Sequence, residues 1–375
     1  MAIAAARIRA ERPETNQVEI AARLQTSQAQ VSRFLRYAEE IGFLQSRPLI
    51  VTENITKCDW DDVETRFFGG NQMVGRLVKE APKDSYFEAH VLPSAGQSFF
   101  ERASSIVLAL LGRSQQIGVM SGKTIFELLE AMKRRQRDPH VRRKGANECI
   151  PLCGDPVHLI NQRVIEYSAS HLAGTLELII TGSLREDLPC LTGVPAYLGR
   201  GSRDGTRNTS AVWMSFVRTI PGYRRIFGQA EGDVNALVNG IDTILSGVGV
   251  IGRSQTQTAA FIQERIEQGD ADATTLDDIA IGDVGGLLVP RKISAGRRRS
   301  PVDELNVGWT GAKWRHFQAV AKTASSTGRP GVIIVAAGPS KAMVTLELVR
   351  RGVVNNLLID YELSDELRKV LFRNE

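Results

Sequence analysis

Apolar positions along this chain change their rhythm twice. In the first forty residues they recur at helical spacing. Residues 3–11 (IAAARIRAE) predict a short helix stopped by Pro13. Asn16 then caps a second helix, with Glu19 as its capping-box partner and Val18, Ile20, Ala21 and Leu24 on its inward side. A break at Gln25, Thr26 and Ser27 follows. Ser27 caps a third helix that buries Val31, Phe34, Leu35 and Ala38 and ends at Gly42.

Further on, short continuous apolar runs alternate with amphipathic stretches. Residues 48–54 read as a strand or linker, 59–68 as a helix and 87–92 as a strand. A helix over 99–111 leads to the strand 117–120, a small-residue turn, and a helix reaching Met132. Then come a strand over 148–152, a helix over 161–172, a strand over 176–180 and a Gly-rich strand end, SGVGVIGRS. GDVGGLLV continues over 282–289. The chain closes with strand 331–338, helix 340–350, strand 356–360 and helix 364–372. The basic stretch 291–330 reads as a surface excursion pinned by Trp309 and Trp314. Apolar strands alternating with such helices predict a parallel α/β sheet covered on both faces, with ligands at the carboxyl ends of its strands.

Two kinds of chemistry stand out on this framework. Two short helices joined by a tight turn form a helix-turn-helix pattern. Gln17, Ser27, Gln28, Gln30, Ser32, Arg33 and Arg36 supply groups that read base edges and grip phosphates. A helical hairpin with a solvated polar face is the plainer alternative. The second feature is the strand–turn–helix around Ser121, Gly122, Lys123 and Thr124. It aims backbone N–H groups and a positive helix end at one point, which suits phosphate. Gly338–Lys341 (GPSK) repeats the design, and Asp283 is an acid placed to accept hydroxyl hydrogen bonds from a sugar. Plain turns with solvated lysines are the alternative. Gly118–Thr124 nearly spells a nucleotide phosphate loop, but only three residues separate Gly118 from Gly122 where that loop needs four.

Composition narrows this picture little. At 375 residues the chain has room for two domains, divided here into 1–54 and 55–375. A net charge of +5 permits a nucleic-acid partner without demanding one. No apolar run approaches the ~18 residues of a membrane span, so a cytoplasmic protein without membrane contact is expected. Four cysteines are too few for a disulfide framework. Cys149, Cys153 and His158 do not match a zinc spacing, so neither metal nor cofactor is expected. The other histidines lack the motif context of a catalytic base.

Together these segments resemble the SorC family of bacterial sugar-binding transcriptional regulators along nearly the whole chain. The likeness rests on NQVEIAARLQTSQAQVSRFLRYAEEIGFL, IGVMSGKTIFELL, ECIPLCGD, GDVGG and IVAAGPSKAMVTLELVRRGVVNNLLID. It implies a helix-turn-helix domain followed by a Rossmann-like effector domain shaped like sugar-phosphate isomerases and deaminases but without their chemistry. It implies a tetramer on operator DNA and a small phosphorylated sugar or related anionic metabolite as effector. It places Ser121, Gly122, Lys123 and Thr124 on the phosphate loop, Gln162 near a sugar-contacting position, Asp283 on the hydroxyl-binding acid and Lys341 on the pocket lysine. The chain departs from the family pattern at Asp155, at Ala337–Gly338 and at Asp360–Tyr361. An isomerase- or deaminase-like enzyme, or a constitutive repressor with a dead pocket, are the competing readings.

Overall fold

A computed structural model describes residues 1–12, 15–41, 44, 70–93, 96–136, 147–155, 165–198, 209–230, 232–251, 276, 278–291 and 301–372. The boundary expected near residue 54, the helix over 59–68 and Gln162 lie outside the described residues.

The amino-terminal unit consists of α1 (Ala2–Glu11), α2 (Gln17–Arg23) and α3 (Gln28–Glu40). The expected caps form. Asn16 accepts the Glu19 backbone N–H at 2.9 Å, and its own amide donates to the Glu19 carboxylate at 2.9 Å. Ser27 and Gln30 close a reciprocal capping box on α3. Between the helices, Gln25 takes a left-handed conformation with φ 51°, which lets the turn be tight. Ala5, Ile8, Ile20, Leu24, Val31 and Leu35 make a small core of their own. Val18 does not join it and is 59% exposed. At 100° per residue, the centre of the arc shared by Ile20, Ala21 and Leu24 lies more than a quarter turn from Val18.

The larger unit opens with α4 (Gly70–Glu80), β1 (Glu88–Leu92), α5 (Gly96–Leu111) and β2 (Gln116–Val119). Next are α6 (Lys123–Gln136), β3 (Glu148–Pro151) and α7 (Ala169–Thr181). Then come α8 (Thr209–Val217), α9 (Pro221–Phe227), β4 (Thr243–Gly249), β5 (Ala280–Val284) and β6 (Leu287–Pro290). The last elements are α10 (Pro301–Leu305), α11 (Trp314–Thr327), β7 (Gly331–Ala336), α12 (Ala342–Arg350), β8 (Asn356–Asp360) and α13 (Tyr361–Phe372).

Strands β1, β8, β7, β4, β2 and β3 lie side by side in that order, and every neighbouring pair is parallel. All six carboxyl ends therefore share one edge of the sheet. Side chains alternate between two buried faces. Val332, Ile334 and Ala336 pack with Phe317 and Val344 on one side. Ile333 and Val335 pack with Val107 and Leu128 on the other. Each aliphatic side chain so buried contributes about 1.5–3 kcal/mol, which is why these strands are apolar without interruption.

Three expectations need correction. Residues 176–180 are not a strand but the last turns of α7. Leu172, Ala173, Leu176, Ile179 and Ile180 continue one helical stripe between a Ser168 cap and a left-handed Gly182. A short apolar run does not distinguish strand from buried helix until its flanks are included. Residues 282–289 are an antiparallel hairpin turning at Gly285 and Gly286, whose φ values of 57° and 101° suit glycine. The 291–330 stretch is not a surface excursion in its described part. α11 covers the sheet through Phe317, Val320, Ala321 and Ala324, and Trp309 is fully buried.

The two units touch through their first and last helices. Arg7 of α1 is buried, donates to Glu11 at 2.7 Å, and sets its guanidinium 4.5 Å from the Tyr361 ring centre at the start of α13.

Candidate functional site

The parallel sheet brings both lysine-bearing turns to its carboxyl edge. The first follows β2. Gly122 has φ 147°, which lets the chain reverse into α6, and its N–H donates to Tyr167 O at 3.1 Å. Ser121 is buried beside the Cys153 thiol. Lys123 is exposed at the amino end of α6. Thr124 lies against β4, where a Cβ on Gly247 would be 3.3 Å from the threonine Cβ. Glycine at 247 is thus what lets the turn sit down on the strand end.

The second turn follows β7. Gly338 (φ 95°) donates its N–H to both Asp360 oxygens at 3.1 and 3.0 Å, and Leu363 N–H donates to the same carboxylate at 2.9 Å. Asp360 ends β8 and so ties the GPSK turn to α13. Burial pushes its carboxyl up, against these two backbone donors and the Lys341 charge. Burial in turn pulls the Lys341 ammonium down, while the charges of Asp360 and Asp283 hold it up. Asp283, 3% exposed, accepts the Gly286 N–H at 2.7 Å and so also holds the β5–β6 turn.

Of the expected effector residues, the structure places Ser121, Gly122, Lys123, Thr124, Asp283 and Lys341 along one edge. Asp360 was not foreseen as the partner of Lys341. Its signal was an acid directly after four apolar residues, and its meaning depended on β8 lying beside β7. Beside the first turn, on the side of β2 away from β7, β3 leads to Cys153 and Asp155. Burial pushes the Cys153 thiol up to about 11, which keeps it protonated, with Ser121 beside it. Asp155 accepts the Gly193 N–H at 3.2 Å, and burial raises its carboxyl.

On α3, Gln28, Gln30, Arg33 and Arg36 are exposed, Ser32 is half-buried, and Gln17 is half-buried at the start of α2. Gln30 is already engaged. Its Oε1 accepts from Thr26 Oγ1 and from the Ser27 N–H at 3.3 Å, so only its amide donors face outward. Ser27 likewise serves the helix cap. Tyr37, 53% exposed and one turn beyond Arg33, joins this face and was missed.

No protein-family model matches the chain, and no curated protein matches it in sequence. Solved structures do match. The full-length sorbitol operon regulator SorC from Klebsiella pneumoniae superposes with a TM-score of 0.53 at 16% identity, over 98% of this chain and 97% of that one. A DeoR family transcriptional regulator from Listeria monocytogenes gives 0.51 at 13% identity, over 80% and 99%. A domain of a possible sugar-binding transcriptional regulator from Arthrobacter aurescens TC1 gives 0.52 at 18% identity, over 80% and 97%. The chain has the SorC fold. The full-length SorC likeness spans nearly the whole chain, so the expected order of helix-turn-helix and Rossmann-like sheet is the observed one.

Proposed function

We propose that this SorC-fold chain is a bacterial DNA-binding transcriptional regulator. Its grip on an operator is set by a small phosphorylated sugar or related anionic metabolite. The SGKT turn and Lys341 hold the anion, and Asp283 receives hydroxyls. Gln162 is assigned to the sugar. α3 enters the major groove with Gln28, Arg33 and Arg36, while Gln17, Ser27, Gln30 and Ser32 settle the helix on the backbone. The carrying observation is a continuous physical connection. Lys341 faces Asp360, Asp360 caps the start of α13, and the next residue, Tyr361, carries the Arg7 guanidinium of the DNA-binding unit.

A ligand switches such a protein only if it prefers one arrangement over the other. Closing the edge around an anion moves Lys341 and Asp360 together, and α13 transmits the change to α1. The protein works as a homo-oligomer, a tetramer by its resemblance. The exposed α8 side chains Val212, Trp213 and Phe216, an apolar face with an edge-on ring pair at 6.3 Å, are consistent with subunit contact. Among the described residues no helix is long and apolar enough to cross a membrane, and we place the protein in the cytoplasm. It is read as a non-enzyme. The matched structures are described as regulators.

Thermal-shift screening against phosphorylated sugars tests the pocket, because a ligand that binds the folded state raises the melting temperature by mass action. Turnover of any of them would decide for an enzyme instead. Two variants test the rest. Arg33→Ala is expected to weaken operator binding by about 1–3 kcal/mol in a gel-shift titration, and unchanged affinity removes Arg33 from the interface. Tyr361→Leu keeps apolar bulk but removes the ring face under Arg7, a contact worth about 0.5–1 kcal/mol. It is expected to cut the effector's influence on operator affinity by roughly two- to fivefold with both separate affinities retained. An unaltered influence would break the proposed connection.

A further inference from the structure

α3 turns a narrow face to solvent. Val31, Leu35 and Ala38 are buried and fix its inward side. At 100° per residue, Ala29 and Arg33 both fall within about 30° of the opposite direction. Both are exposed. Arg33 and Arg36 have no side-chain partner among the described residues. Charge along the helix is divided, since Arg33 and Arg36 precede Glu39 and Glu40, and all four are exposed. Phosphates attract the first pair and repel the second. The amino half of α3 is therefore the half suited to a groove.

Gln30 stands beside this face but is not free to read a base. Its Oε1 accepts from Thr26 Oγ1, from the Ser27 N–H at 3.3 Å and from Ser27 Oγ at 3.4 Å. Reading adenine takes both halves of a side-chain amide, a donor for N7 and an acceptor for the N6 amino group. With its acceptor held in the turn, Gln30 is a positioning residue that clasps the corner following Gln25. Two side chains of the amino half are left pointing outward. Arg33 offers donors only, and guanine O6 and N7 are the acceptor pair that a guanidinium meets in bidentate fashion. Ala29 offers a methyl only, and its counterpart in the major groove is the C5 methyl of thymine. Helical side chains lean toward the amino end, so the Arg33 head sits over the turn that carries Ala29. Four residues span about 6 Å of helix axis, which is less than two base steps.

We propose that Ala29 is a base-reading residue. It touches the methyl of a thymine on the base pair next to the guanine held by Arg33, and the operator half-site carries that guanine and thymine side by side. The assignment rests on the regulator function proposed above.

Selection of random-sequence duplexes by the intact protein, followed by titration of the recovered site with altered bases, tests it. Deoxyuridine in place of the thymine removes only the methyl and should weaken binding by about three- to fivefold. Replacing the guanine with 7-deazaguanine removes N7 and should weaken it by roughly fivefold or more. Ala29→Gly should shrink the deoxyuridine penalty to less than about twofold and keep the 7-deazaguanine penalty, and Arg33→Ala should do the reverse. Ala29→Ser should behave as Ala29→Gly does, without glycine's cost to the helix. Gln30→Ala should recover the same sequence. A library that yields no preferred sequence overturns the regulator function and this assignment with it. A preferred sequence whose deoxyuridine penalties are the same in the parent, Ala29→Gly and Ala29→Ser proteins overturns the assignment alone. So does a recovered site without neighbouring guanine and thymine, or one that changes with Gln30→Ala.

Discussion

Replacing Arg185 with alanine is expected to lower the unfolding free energy by about 3–5 kcal/mol, because it strands a buried carboxylate. Glu177 lies inside α7 with 0% exposure. Arg185 meets it with Nε at 2.9 Å from Oε1 and Nη2 at 3.1 Å from Oε2, a bidentate pairing. Its Nη1 reaches Glu148 at 2.7 Å, and Gln116 donates to the same Glu148 at 2.8 Å. The Cys149 backbone N–H donates to Glu177 at 3.2 Å. That N–H belongs to β3, the last strand of the parallel row, so the carboxylate satisfies part of an otherwise open strand edge. Urea unfolding should show a lower midpoint at an unchanged slope. A double variant, Glu177→Met with Arg185→Met, should recover part of the loss, since it leaves no buried charge unpaired and only the Cys149 and Arg185 backbone N–H groups without their acceptor. A single variant as stable as the parent protein would mean that Glu177 finds water or another cation. Because β3 leads into the Cys153–Asp155 turn, the same variant should also loosen that side of the carboxyl edge.

The pattern of apolar positions carried most of the architecture. β7 and β8 announced themselves because a strand buried on both faces has no polar position to lose. Both lysine turns were legible because parallel strands put all their carboxyl ends on one side, whatever their order. What failed to show was whatever depended on neighbours distant in sequence. The LELII run of α7 is as apolar as a strand, and only the stripe continuing from Leu172 and the Ser168 cap distinguish it. The Asp360–Lys341 relation required knowing that β8 lies beside β7. Basic residues at 313–316 read as solvated surface, because nothing local says that His316 is buried under Phe227. Tyr361 was noted only as a departure from the family pattern, and its ring faces another unit 354 positions away in sequence.

Lys341→Met is expected to weaken binding of an anionic effector by about 2–5 kcal/mol, roughly thirtyfold to several thousandfold, while operator affinity stays within about twofold. The large effect has two parts. The ammonium is the cation of the GPSK turn, held between Asp360 and Asp283 on a sheet edge where the dielectric is low. Its removal costs the attraction and also uncovers two carboxylates that repel the same anion. Asp360 then has only the Gly338 and Leu363 N–H groups to support its charge. Lys341→Arg should keep much of the affinity, since the charge persists. The pH dependence has a definite sign. Burial lowers the ammonium's pKa, so it is lost at a pH below that of an ordinary lysine, and anion binding should weaken as pH rises through that point. Titrating effector into the parent and variant proteins, with operator gel shifts alongside, measures both affinities. A Met variant that binds and responds like the parent would remove the GPSK turn from the effector site and leave the SGKT turn to hold the anion by itself.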